Sequence, residues 1–123
     1  MQRWFLEHAK KGWATCPIVE NGVVRVVSQA EYPSGQRRPE EIVNTLQNLK
    51  VVARESHQFW PDDISLSDAT LFRAEFILAS RQVTDAYLLG LAAKRGGTLV
   101  SFDRSLPWQA IQGGMAGLIQ TPD

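Results

Sequence analysis

The sequence has a single cysteine, Cys16, so no disulfide can form within the chain. That excludes a disulfide-stapled secreted scaffold and fits a reducing compartment. It has no apolar run near the roughly 20 residues that span a bilayer, so no membrane segment is expected. The opening MQRWFLEHAKK lacks the apolar stretch and small-residue cleavage site of a signal peptide. There is no excess charge of either sign, since 13 Lys+Arg offset 13 Asp+Glu. Any contact with nucleic acid or an anionic membrane must therefore rest on local charge placement. Repeats and low-complexity segments are also missing. What remains, 44% hydrophobic and 21% charged residues in 123, is the composition and length of one soluble globular domain covering 1–123. A cytoplasmic protein is the expectation.

Several catalytic signatures are missing too. There is no G-x-S-x-G elbow, no Walker A loop, no G-x-G-x-x-G and no H-E-x-x-H. His8 and His57 lie far apart with no cysteine pair beside them, which argues against a zinc site. Cys16 reads as a core residue rather than a nucleophile. Trp4, Trp13, Trp60 and Trp108 read as packing anchors rather than base-stacking platforms.

Helices and strands alternate along the chain. Gln2 to Lys11 is predicted helical and stops at Gly12. Trp13–Cys16 is a short strand, and Pro17 opens a helix to about Gln29. Tyr32–Pro39 is a loop by its Pro and Gly content. Pro39 starts a helix with Ile42, Val43, Leu46, Leu49 and Ala53 on one face, though Val51-Val52 also suits a strand. His57–Trp60 is a strand, and Ser67 or Asp68 is expected to cap a helix reaching Ser80. Thr84 caps a helix from Asp85 to Arg95, ended by Gly96-Gly97. Thr98–Phe102 is a strand closed by Asp103, and a last short strand lies near Gly117–Gln120. This alternation predicts an α/β fold with a mostly parallel sheet flanked by helices.

Three acids stand out from the solvated ones. Glu20 shares a helical face with Val23, Val24 and Val27, an apolar stripe on which an unpaired carboxylate is costly; it also suits the helix macrodipole. Asp85 tops a face with Leu88, Leu89 and Ala92, and equally serves as a first-turn acid. Asp103 follows a strand, where ligands bind in open α/β sheets; it also suits a turn before Arg104-Ser105. Together the three can converge on one edge of one sheet. Converging carboxylates repel each other, and a hard divalent cation, Mg²⁺ or Mn²⁺, relieves the repulsion. Such a site activates water and stabilises charge on a phosphodiester. Arg25, Arg81 and Arg104 are the cations placed to meet RNA phosphate, each equally readable as a solvated side chain.

These segments resemble a known family. Cys16–Val26 (CPIVENGVVRV) resembles the second conserved block of PIN-domain ribonucleases, Val83–Leu88 (VTDAYL) the third and Gly96–Arg104 (GGTLVSFDR) the fourth. Trp60-Pro61-Asp62-Asp63 is similar to a segment of one subgroup of VapC-type toxins. The resemblance runs over essentially the whole chain. It implies a PIN-like three-layer fold and a Mg²⁺- or Mn²⁺-dependent endoribonuclease. Glu20, Asp85 and Asp103 match the family's second, third and fourth acids, which bind metal or orient the attacking water. A VapB-type antitoxin and a homodimer are the implied partners. The family's first block, L-L-D-x-N-x-L-I, has no counterpart, because the chain opens at Arg3-Trp4-Phe5-Leu6 in what resembles the end of the first helix. That implies an N-terminally truncated domain with its first strand and first acid missing, and an impaired enzyme. The alternative is a catalytically inactive remnant that binds an antitoxin or a dimer partner. A receiver-like or nucleotide-binding domain would need an early acid pair or a Gly-rich loop, and neither is present.

Overall fold

The computed structural model describes residues 7–29 and 37–122. The chain divides into two compact units, Met1–Asp62 and Asp63–Asp123. The α/β class and the parallel strand pairing expected from the sequence are both present. Residues 2–6 of the expected opening helix and 32–36 of the expected loop lie outside the described residues. No helix among the described residues is long and apolar enough to cross a membrane.

In the first unit, a 3₁₀ turn at Ala9–Lys11 ends at Gly12, whose φ of 110° is a conformation that favours glycine. Strand β1 (Trp13–Thr15) then leads into helix α1 (Pro17–Val27), with buried Cys16 in extended conformation at the N-cap and Pro17 inside the first turn. Helix α2 (Pro39–Val52) also opens on a proline and carries Glu40 and Glu41 in its first turn and Lys50 in its last, the signs the macrodipole favours. Val51 and Val52 belong to this helix rather than to a strand. Strand β2 (His57–Phe59) pairs in parallel with β1, matching Trp13 with His57 and Thr15 with Phe59. Parallel pairing needs a long crossover, which the two helices supply. Burial among the described residues of this unit is sparse: Ala9, Cys16 and Ile42 are the buried apolar ones.

The second unit holds a compact core of Phe72, Leu89, Leu106 and Ile111. Helix α3 (Val83–Lys94) runs through it with Ala86, Leu89, Gly90, Leu91 and Ala92 buried. A β-carbon at Gly90 would collide with the Phe72 ring, so glycine lets the ring lie directly on the helix. The helix closes as expected: Gly96 has φ 73°, its N–H donates to Ala93 O at 3.2 Å, and the Gly97 N–H donates to Ala92 O at 2.8 Å. Strands β3 (Leu99–Val100) and β4 (Ile119–Gln120) pair in parallel.

Two expectations need correction. The helix from Ser67 to Ser80 does not form. Asp68 accepts from the Thr70 N–H at 2.9 Å and the Thr70 hydroxyl at 2.6 Å, turning the chain locally, and Phe72 then pairs across to Ile111. Such side-chain bonds compete with helix formation. Thr84 does not cap α3. A 3₁₀ turn at Ser80–Gln82 runs directly into the helix, which starts at Val83 with Gln82 at its N-cap. The described strands form two parallel two-stranded pairs, one in each unit. Glu20 therefore follows one pair and Asp103 the other.

Candidate active site

The second unit brings two of the three acids into electrostatic reach. Asp85 sits in the first turn of α3, half-buried at the head of the face that carries Leu89 and Ala92. Burial pushes its carboxyl above the usual carboxylate range, and the charge of Asp103 pushes it further. Asp103 is exposed beyond the C-terminal end of β3. Its Oδ1 accepts from the Ser105 hydroxyl at 2.5 Å and the Ser105 N–H at 2.8 Å, and these bonds hold its carboxyl below the usual range. Asp103 therefore ionises first, and Asp85 feels the resulting charge. The turn reading of Asp103 is correct as local structure, and it leaves Oδ2 outside both bonds.

Glu20, in the first turn of α1, has a different environment. The expected apolar stripe does not enclose it, since Val23 is 42% exposed and no residue of α1 is buried. It is instead paired. The Thr15 hydroxyl donates to Oε2 at 2.5 Å, and the Lys50 ammonium lies 2.6 Å from the same oxygen. Burial alone would raise its carboxyl. The Lys50 and Thr15 hydrogen bonds and the charges of Lys50 and His57 outweigh that and carry it below its ordinary value. His57 is shifted down by burial and by Lys50, against the pull of Glu20. Sequence reading missed Thr15, Lys50 and His57. The only local signal was Thr15, at the end of a strand five residues before Glu20; Lys50 and His57 arrive through the packing of α2 and the pairing of β2.

Arg25, Arg81 and Arg104 are all exposed, and none has an ion pair among the described residues. Arg81 lies in the turn that enters α3, four residues before Asp85. Arg104 adjoins Asp103 and borders a shallow depression with Ile119, Gln120 and Thr121. Arg25 lies in the last turn of α1.

Among the described residues, no group of three or more His, Cys, Asp or Glu side chains forms a ready metal-ligand set. The Asp85–Asp103 pair nevertheless fits a hard divalent cation. Mg²⁺ is commonly held by one or two carboxylates, with water and substrate phosphate completing its shell. Asp85 bears the cost of burial and of a like charge, and a cation there would relieve both.

Comparison with known proteins gives concordant relatives. Ribonuclease VapC39 of Mycobacterium tuberculosis is 38% identical over 119 residues, spanning 97% of this chain and 81% of that protein. Ribonuclease VapC44 of the same organism is 36% identical over 111 residues, spanning 89% and 75%. Ribonuclease VapC38 is 40% identical over 103 residues, spanning 84% and 70%. No family model matches the chain, and no solved structure matches it.

Proposed function

The chain belongs to the VapC family of ribonucleases, and from that premise we propose that Glu20, Asp85 and Asp103 are the acids with which it cleaves RNA. It is a VapC-type endoribonuclease, the toxin half of a toxin–antitoxin pair, and such ribonucleases are in general metal-dependent. RNA is its substrate and a VapB antitoxin its partner. The observation that carries the assignment of the acids is the Asp85–Asp103 pair, where one carboxyl is raised by burial and by the charge of the other. The cation we assign is Mg²⁺ or Mn²⁺, because the donors are carboxylate oxygens. When bound, it supplies positive charge to the phosphodiester and lowers the pKa of a bound water.

The protein's own groups have distinct tasks in this reading. Asp103 presents an exposed carboxylate held by Ser105 through one oxygen. Asp85 stands on a helix locked into the core, so its position is fixed by packing. Arg81 and Arg104 are placed beside the two acids in sequence and take the RNA phosphates, with Arg25 as a third contact. A homodimer and a cytoplasmic location complete the proposal.

The test is cleavage of RNA by the purified chain with Mg²⁺ or Mn²⁺. Asp85→Asn and Asp103→Asn are expected to lower the rate by about 100-fold or more, and EDTA to abolish it. Full activity in both variants would refute the assignment of the acids. A wild-type chain that binds a VapB antitoxin but cleaves no RNA would favour the inactive binding module.

A further inference from the structure

Phe102 is 67% exposed, although it stands just past β3, whose Leu99 packs against the core of the second unit. Leu99 and Ser101 are half-buried, while Val100 and Phe102 turn outward. The alternation of an extended chain thus gives the sheltered position to a serine and the exposed one to an aromatic ring. A single exposed apolar side chain is ordinary. Phe102 differs in its support and in its neighbours. The Ser101 N–H donates to Gln120 O at 2.9 Å, continuing the ladder between β3 and β4 past Val100. The Asp103 N–H donates to Ser101 Oγ at 3.0 Å, and the Ser105 N–H donates to Asp103 Oδ1 at 2.8 Å. The backbone is therefore bonded on both sides of Phe102. A ring fixed in this way loses little more than its side-chain torsions when a ligand stacks on it. The neighbours are those that an RNA strand meets in a ribonuclease. Asp103 follows directly, and Arg104, exposed and in no ion pair among the described residues, comes next. Consecutive Cα atoms are about 3.8 Å apart, so ring, acid and cation reach the same stretch of RNA. All three belong to the second unit.

We infer that Phe102 is a substrate-binding residue: its exposed ring stacks on an unpaired base of the RNA beside the phosphodiester at Asp103, and Arg104 takes the adjoining phosphate. This rests on Asp103 being an active-site acid. The ligand is single-stranded or looped RNA, because a base offers its face to a side chain only outside a duplex. Stacking tolerates any base, so the contact secures an unpaired nucleotide without reading its identity.

The experiment is fluorescence anisotropy of a short labelled single-stranded RNA of mixed sequence with the full chain, in EDTA to block cleavage. Phe102→Ala is expected to weaken binding about 10-fold and to raise the KM for cleavage with Mg²⁺ by the same factor. Where EDTA leaves binding too weak to read, that KM carries the comparison. Phe102→Tyr keeps wild-type affinity, and Phe102→Leu, apolar but without a π face, does not. Arg104→Ala lowers the salt dependence of binding and Phe102→Ala leaves it unchanged, since only the first removes a phosphate contact. A strand of the same length with abasic positions binds wild type and Phe102→Ala equally. RNA affinity and KM unchanged in Phe102→Ala overturn the proposal, as does full rescue by Phe102→Leu. Loss of VapB antitoxin binding with RNA binding intact overturns it in favour of a protein interface. Asp103→Asn separates the two levels. If it cleaves like wild type, the reading of Asp103 fails and the proposal with it. If it is inactive while Phe102→Ala binds RNA normally, only the stacking role fails.

Discussion

Glu20 and Asp85 hold the same local position in the two units, the first turn of a helix, where the macrodipole favours an anion. Both are partly buried, yet they are displaced in opposite directions. Glu20 is neutralised by Lys50 and hydrogen-bonded by Thr15, so it stays ionised more readily than a free glutamate. Asp85 has burial and the charge of Asp103 against it. The same residue class at the same helical position is thus satisfied in one unit and frustrated in the other. Functional sites tolerate such frustration because a ligand or transition state relieves it. The two units differ in support as well. The frustrated acid stands on the unit with the dense core, and the satisfied one on the unit with few buried residues among those described.

The largest expected effects fall on that support. Leu89→Ala removes a fully buried side chain from the core beneath Asp85 and is expected to cost about 3 kcal/mol of stability. Val23→Ala, on the exposed flank of α1 beside Glu20, is expected to stay within about 0.5 kcal/mol. Urea denaturation of the two variants checks the contrast, and equal losses would show that the units are equally packed. A smaller effect, opposite in sign for the two acids, tests the comparison itself. Glu20→Gln leaves the Lys50 ammonium without its ionic partner and is expected to destabilise by about 1 kcal/mol. Asp85→Asn removes the frustrated charge and is expected to stabilise at neutral pH by about 0.5 kcal/mol or more while losing cleavage. Thermal melting at pH 7 reads both signs.

Much of this was legible in the residues. Pro17 and Pro39 marked two helix starts, Gly96-Gly97 marked a helix end, and the short runs at 13–16, 57–60, 98–102 and 117–120 marked the four described strands. These signals are local, and local chemistry decides them. The segment after Ser67 was misread because the capping signal of Asp68 was real but served a turn; the long-range pairing of Phe72 with Ile111 decided the outcome. The three acids were visible as acids, and their placement at a helix start or beyond a strand end was correct. Their electrical states were not visible. The state of Glu20 depends on Lys50, thirty residues away, and that of Asp85 on Asp103 across the second unit, so both follow from tertiary packing.

The pH dependence of stability sharpens the comparison at the smallest scale. The folded pKa of Glu20 lies below its ordinary 4.5. Its contribution is therefore present above about pH 4.5 and is lost as pH falls through the folded value. The folded pKa of Asp85 lies above its ordinary 3.8. Its contribution is fully present below about pH 3.8 and is lost as pH rises through the folded value. The two acids thus tilt the stability profile in opposite senses. Subtracting the urea midpoints of Glu20→Gln from wild type between about pH 3 and 7 should give a difference that grows with pH. The same subtraction for Asp85→Asn should give one that shrinks with pH. Asp103→Asn should flatten the Asp85 profile, since one of its two causes is gone, and leave the Glu20 profile unchanged. Differences of the same slope for Glu20 and Asp85 would show that burial alone governs both carboxyls, and the contrast between a paired and an unpaired acid would fall.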